Sequence, residues 1–227
     1  MQQELMLEVC AFNLTSCIIA EKLGAKRIEL CANHSLGGTT PTQELIQQVK
    51  EKLSIAIYPI VRPRGGDFLY NEEEFSQMLQ SISICKELGC NGIATGVHLQ
   101  NGEIDKIRFA KLVAAAYPIK VTCHRVFDRT PDPFKALEDL VEIGCERILT
   151  SGQANTAAGA TKLLSQLVQA AGNKIIIMPG SGVRSSNIQQ LIAETGAKEF
   201  HTSAIIDNTE MIDENELREI ISVINHN

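Results

Sequence analysis

The run Gly24-Ala25-Lys26-Arg27-Ile28-Glu29-Leu30-Cys31-Ala32 joins the end of one predicted element to the start of the next. The amphipathic stretch before it stops at Gly24, a residue type that adopts the left-handed, helix-ending conformation at little cost. An apolar segment follows within a few residues. The same joint recurs at Gly89-Cys90-Asn91-Gly92-Ile93, Gly144-Cys145-Glu146-Arg147-Ile148 and Gly196-Ala197-Lys198-Glu199-Phe200, and each copy reads as helix, stop, strand. Between the joints lie four further strand candidates, Leu7 to Phe12, Ala56 to Arg62, Lys120 to Arg125 and Lys174 to Met178. Helical stretches such as Gln43 to Lys52, Glu103 to Ala116 and Ala157 to Ala171 separate them. Regular alternation of strand and helix builds a parallel sheet, either open or closed into a (β/α)8 barrel. An open dinucleotide-binding sheet calls for a glycine-rich turn after its first strand, and Phe12-Asn13-Leu14-Thr15 has no glycine. The expectation is one α/β domain over residues 1–227, a TIM-like (β/α)8 barrel.

Side chains alternate across a strand, so Glu29 shares a face with Cys31. In the matching run Leu7-Glu8-Val9-Cys10-Ala11, Glu8 shares a face with Cys10. Val9, Ile28 and Leu30 suit the helix-covered side, which assigns the acids and thiols to the interior. The same parity sends Tyr58, Ile60, Arg62 and, past the strand end, Arg64 inward on strand three, Thr122 and His124 on strand five, and Glu199, His201 and Ser203 on strand eight. Buried charge is costly unless it is paired or binds something. As a structural network, Arg62 and Arg64 would neutralise Glu8, Glu29 and Glu199. As a functional site, the late-strand residues Cys10, Cys31, Arg62, Arg64, His124, Arg125 and His201 would line the mouth where TIM-barrel sites form.

Glycine-rich loops at the same end allow close backbone approach to a ligand. They are His34 to Pro41, Arg64-Gly65-Gly66-Asp67-Phe68, Ser151-Gly152-Gln153 and Pro179-Gly180-Ser181-Gly182-Val183-Arg184. The last leads into a predicted helix from Ser185 to Thr195, and helix N-termini attract anions. Arg62, Arg64, Ser151, Gly180, Ser181, Gly182 and Ser203 are therefore the candidate anion- or substrate-binding set. Should the barrel be an enzyme, Glu8, Glu29, His124 and His201 are its acid and base candidates. A Schiff-base mechanism is disfavoured because Lys120 and Lys174 begin their strands, at the wrong end of the barrel. Neighbouring strands lie about 4.8 Å apart, so Cys10 and Cys31, at matched positions on strands one and two, could share one soft ion. The competing reading is that they are small buried hydrophobes. Cys17, Cys85, Cys90, Cys123 and Cys145 read as packing residues.

A net charge of -6 without a clustered basic patch argues against nucleic acid. No run approaches the roughly 20 apolar residues of a membrane span, and Met1-Gln2-Gln3-Glu4 does not open like a signal peptide. Seven cysteines, an odd number set inside apolar or helical patterns, read as reduced thiols of a cytoplasmic protein.

Eight motifs in order resemble the CutC copper homeostasis family: Leu-Glu-Val-Cys at Leu7, Arg-Ile-Glu-Leu-Cys at Arg27, Gly-Gly-Thr-Thr-Pro at Gly37, Val-Arg-Pro-Arg-Gly-Gly-Asp-Phe at Val61, Cys-His-Arg-Val-Phe-Asp at Cys123, Leu-Thr-Ser-Gly at Leu149, Met-Pro-Gly-Ser-Gly-Val at Met178 and His-Thr-Ser-Ala at His201. The resemblance covers Leu7 to Ala204. It implies a cytoplasmic TIM-like barrel that serves copper tolerance and binds Cu(I) through the two strand-end cysteines, here Cys10 and Cys31. The alternative is a TIM-barrel enzyme acting on a small anionic or phosphorylated substrate at the Glu/Arg/His mouth. The expected partner is a copper ion or a small anionic ligand, with a homo-oligomer left open.

Overall fold

The computed structural model describes residues 4–207 and 209–226. Eight strands, β1 Met6–Ala11, β2 Arg27–Leu30, β3 Ala56–Val61, β4 Gly92–Thr95, β5 Lys120–Cys123, β6 Arg147–Thr150, β7 Ile176–Pro179 and β8 Glu199–Thr202, alternate with eight helices. The helices are α1 Leu14–Leu23, α2 Gln43–Lys52, α3 Glu72–Glu87, α4 Lys106–Ala116, α5 Pro133–Ile143, α6 Thr161–Ala171, α7 Ile188–Thr195 and α8 Glu214–Asn225. The hydrogen-bonded strand order is β7-β6-β5-β4-β3-β2-β1-β8, all parallel. Strands β7 and β8, at the two ends of this series, lie side by side, so the sheet curls into a nearly closed barrel. The expected (β/α)8 barrel is the fold observed.

The four glycine joints explain much of this regularity. Gly24 ends α1 at φ 112°, and its N–H donates to the carbonyls of Ala20 and Glu21; Gly89, Gly144 and Gly196 also sit at positive φ. Helix starts are marked as clearly. Asn13, Thr42, Asp105, Asp132 and Asp213 each accept a backbone N–H, and Asn71 with Glu74 forms a reciprocal capping box on α3. Helix α7 starts at Ile188 instead of Ser185 because the Asn187 side chain accepts from the Arg184 N–H and donates to the Gly182 carbonyl. Those local bonds hold a turn in place of the first helical residues.

The core lies between sheet and helices. Val9, Ile28, Leu30, Ile57, Val61, Ile93, Ile148 and Phe200 face it and are fully buried, each worth about 1.5–3 kcal/mol of apolar transfer. Cys17, Cys85, Cys90, Cys123 and Cys145 belong to this cluster, whereas Cys10 and Cys31 form a separate apolar patch with Phe12, Ile60, Ala94 and Ile205.

Inside the barrel, Glu8 is level with Arg27 and with His201, Cys10 is level with Glu29, and Glu29 is level with Tyr58. Cys31 is therefore not opposite Cys10 but two residues further along β2. The stagger that closes a barrel offsets each strand from its neighbour, an offset that parity alone does not reveal. Gly92 gives the Tyr58 ring its place: a Cβ there would overlap the ring and lie 2.7 Å from the Lys120 carbonyl oxygen. Gly92→Ala is expected to destabilise the protein by about 1–3 kcal/mol, measured by urea unfolding; an unchanged midpoint would contradict this account of the packing.

Candidate functional site at the barrel mouth

The inner face is organised as a column of charge. At its base Arg147 Nε and Arg27 Nη2 both donate to Glu199 Oε2, each at 2.6 Å. The same guanidinium of Arg27 donates through Nε to Glu8 Oε2, and Arg147 also reaches Glu146 at 3.0 Å. The Tyr58 ring stacks on both arginines, with centroid distances of 5.1 and 5.6 Å. The second oxygen of Glu8 takes His201 Nδ1 at 2.8 Å, and His201 Nε2 lies 3.6 Å from Glu29 Oε2. Burial opposes the Glu8 charge, but Arg27 foremost and then His201 overcome it and hold the carboxyl well below the usual range.

The arginines that neutralise this column are Arg27 and Arg147, not Arg62 and Arg64. Both were visible in the sequence: each stands just before the apolar residue that closes a glycine joint, with the parity of the inward positions that follow it. Arg64 turns outward instead, to Glu74 at 2.6 Å and Asp67 at 2.9 Å, because β3 ends at Val61 and strand parity no longer governs the chain beyond it. Arg62 braces the loops. Its Nη1 donates to the carbonyls of Leu36 and Gly38 at 2.9 and 2.7 Å, and its Nη2 to Gly66 at 3.1 Å.

Above the column a cavity of about 300 Å³ opens at the C-terminal ends of the strands. It gathers the expected residues Cys10, Cys31, Glu29, Ile60, Arg62, His124, Arg125, His201, Ser181, Gly182 and Ser203, and adds Arg184 and the apolar side chains of Phe12, Phe68 and Leu149. Glu8, Arg64, Ser151 and Gly180 do not line it. Glu8 lies beneath His201 and acts through it. Ser151 turns its hydroxyl to Asp128 and the Ala154 carbonyl, and the Gly180 N–H is spent on the Thr150 carbonyl. Asp128, which sequence reasoning did not single out, ties the β5 and β6 loops together by accepting from Arg125, Thr150 and the backbone of Ser151 and Gln153.

Cys10 and Cys31 sit at the cavity floor with their sulfurs 3.6 Å apart and hydrogen-bonded. Their ligand atoms and a Glu29 carboxylate oxygen all lie within 4.8 Å of one another. The Cys31 thiol foremost, aided by His201 and Glu29 against the opposing effect of burial, brings the Cys10 pKa down to about 6. Burial foremost, with the Cys10 sulfur beside them, pushes Cys31 and Glu29 up. Burial also works against a charged His201, but Cys10, Glu8 and Glu29 outweigh it and raise its pKa. The floor thus favours a Cys10 thiolate beside a charged His201, while Cys31 and Glu29 are biased towards their neutral forms. Ultraviolet titration of thiolate absorption should show one group with a midpoint near 6 that is missing in Cys10→Ser; no thiolate below pH 8 would contradict the assignment.

His124 is different. Burial foremost and then Arg62 bring its pKa down to about 3, so at neutral pH it is a fixed hydrogen-bonding group and not a titrating acid or base. Its Nδ1 accepts from the Val126 N–H at 3.2 Å, which assigns the ring proton to Nε2.

Comparison with known proteins agrees with this geometry. A model of the CutC family matches residues 5–206. The CutC protein of Parabacteroides distasonis is 52% identical over 200 residues, covering 88% of this chain and 82% of the relative. That of Chromobacterium violaceum is 45% identical over 199 residues, covering 88% and 81%. A solved Streptococcus agalactiae CutC structure, named for copper homeostasis, superposes with a TM-score of 0.84 at 34% identity, covering 88% of this chain and 98% of that one. Phosphoribosylanthranilate isomerase from Thermotoga maritima shares the fold alone, at 12% identity and a TM-score of 0.66. A family match over residues 5–206, together with relatives at up to 52% identity, shows that this protein belongs to the CutC family.

Proposed function

We propose that this chain is a cytoplasmic copper homeostasis protein that holds one Cu(I) between the sulfurs of Cys10 and Cys31. The observation that carries the reading is the pair of sulfurs 3.6 Å apart at the floor of an open cavity, one of them with its pKa brought down to about 6. Thiolates select Cu(I) over hard cations. A structural Zn²⁺ site asks for four ligands, whereas Cys10, Cys31 and Glu29 are the three groups whose ligand atoms lie within 4.8 Å of one another here. The donor set therefore suits a soft ion content with two sulfurs. The named role of the Streptococcus agalactiae relative points the same way.

The thiols support the cytoplasmic reading. All seven cysteines are buried and none is in a disulfide, as expected of a protein kept in reducing surroundings. Among the described residues no helix is long and apolar enough to cross a membrane. Anaerobic Cu(I) titration against a competing chelator tests the reading: one equivalent should bind tightly to the wild-type chain and not to Cys10→Ser or Cys31→Ser.

A further inference from the structure

The same cavity carries a second recognition surface that copper does not use. Arg62 and His124 are each at most 5% exposed, both line the cavity, and both pack on the Phe68 ring, with Arg62 Cζ 5.0 Å and the His124 ring 4.8 Å from its centroid. Among the described residues, Arg62 Nε and His124 Nε2 have no hydrogen-bond partner. Both are donors, Nε2 because Nδ1 already accepts from Val126. A buried donor left unmade costs about 1–3 kcal/mol, so two of them on one wall call for an acceptor that reaches both.

Charge gives the acceptor its sign. Arg125 is paired with Asp128 at 2.8 Å, and the Cys10 thiolate is answered by His201. Arg62 and Arg184 have no such partner among the described residues: Arg62 donates only to loop carbonyls, and Arg184 Nη2 donates to the Ile205 carbonyl at 2.7 Å. Two guanidinium charges therefore stand in the cavity wall without a carboxylate. The same cavity is lined by the apolar side chains of Phe12, Ile60 and Leu149. A pocket with convergent polar groups on an otherwise apolar lining is built for an organic body with a charged end.

We propose that the barrel mouth binds a small organic anion whose carboxylate or phosphate group accepts from Arg62 Nε and His124 Nε2, with Arg184 supplying further positive charge. Carboxylate and phosphate share the chemistry these donors recognise. The inference goes beyond the copper reading and does not depend on it, since its donors, Arg62, His124 and Arg184, are not among the groups whose ligand atoms cluster for a metal.

The test uses the whole, reduced, metal-free protein. Malonate, glycerol 3-phosphate and inorganic phosphate are titrated separately by calorimetry and by thermal melting. At least one probe should bind and raise the melting temperature. His124→Asn keeps an acceptor for the Val126 N–H while removing the Nε2 donor, and Arg184→Met removes the second charge. Each should weaken the same probe by about tenfold or more. Preference for malonate identifies a carboxylate ligand, preference for glycerol 3-phosphate a phosphomonoester, and equal binding of inorganic phosphate a site that reads the oxyanion itself. The proposal is overturned if none binds up to about 10 mM, or if binding persists undiminished in both variants. Because no copper is added, failure here leaves the thiolate site standing, and failure of the thiolate site leaves this titration interpretable.

Discussion

Replacing Arg27 with methionine is expected to lower the stability of the barrel by about 3–5 kcal/mol. Arg27 is 3% exposed and bonds Glu8 on one side and Glu199 on the other. Methionine fills much of the same volume, so the loss measures the stranded acids and not a cavity. Glu199 keeps Arg147 at 2.6 Å, but Glu8 is left with His201 alone. The pH dependence has a definite sign. Glu8 has a folded pKa held below its unfolded value, so its contribution to stability is full above the unfolded carboxylate range near 4.5 and is lost as pH falls through the folded value. Arg27→Met should shrink that contribution and flatten the acid limb of the stability curve. Glu8→Gln added to Arg27→Met should recover part of the loss, because the two side chains act on each other. Urea unfolding across pH measures all three variants. A loss within about 0.5 kcal/mol, the range of ordinary surface substitutions, would mean that the column does not hold the barrel together.

The column also acts on chemistry, since Glu8 supports a charged His201 and His201 favours the Cys10 thiolate. This is the physical reason for a chain of ionisable groups inside a barrel that could have been filled with leucine. Buried ion pairs are weak contributors to net stability compared with apolar packing. Here the uppermost member, His201, adds to the larger effect of Cys31 in bringing the Cys10 pKa down at the floor of the cavity.

The second large effect concerns the metal. Cys10→Ser and Cys31→Ser should each weaken Cu(I) binding by at least about 100-fold, because loss of an outer-shell partner alone typically costs 10–100-fold and here a directly bound sulfur is removed. The two losses should not add, since a two-sulfur site is destroyed by either change. Glu29→Gln gives the contrast. Burial raises the Glu29 pKa and so favours its neutral form, which glutamine mimics in shape, so copper affinity should change little. A loss in Glu29→Gln as large as in the cysteine variants would mean that the carboxylate is itself a ligand, and the site would then be read for a harder ion.

Much of this arrangement was legible in the residues themselves. Gly24, Gly89, Gly144 and Gly196 mark helix ends because a left-handed cap has few alternatives, and the period of two placed Glu8, Cys10, Glu29 and Cys31 on one inner face. What parity cannot supply is who meets whom across the barrel. That depends on the stagger between strands, which set Cys10 beside Glu29 and brought Arg27 up to Glu8. Arg64 was misplaced because it lies beyond the end of β3, and Ser151 because its hydroxyl answers a nearby carboxylate, Asp128, in a turn no periodicity describes. The unspent donors of Arg62 and His124 were illegible for a similar reason: they arise from packing on Phe68, which reaches the cavity from a loop.

A Cu(I) held by two sulfurs has a direct signature in X-ray absorption at the copper edge of the anaerobically loaded protein. The spectrum should show a monovalent edge and a first shell made of two sulfur neighbours, lost in Cys10→Ser. A first shell of nitrogen or oxygen, or a sulfur shell that survives Cys10→Ser, would contradict it.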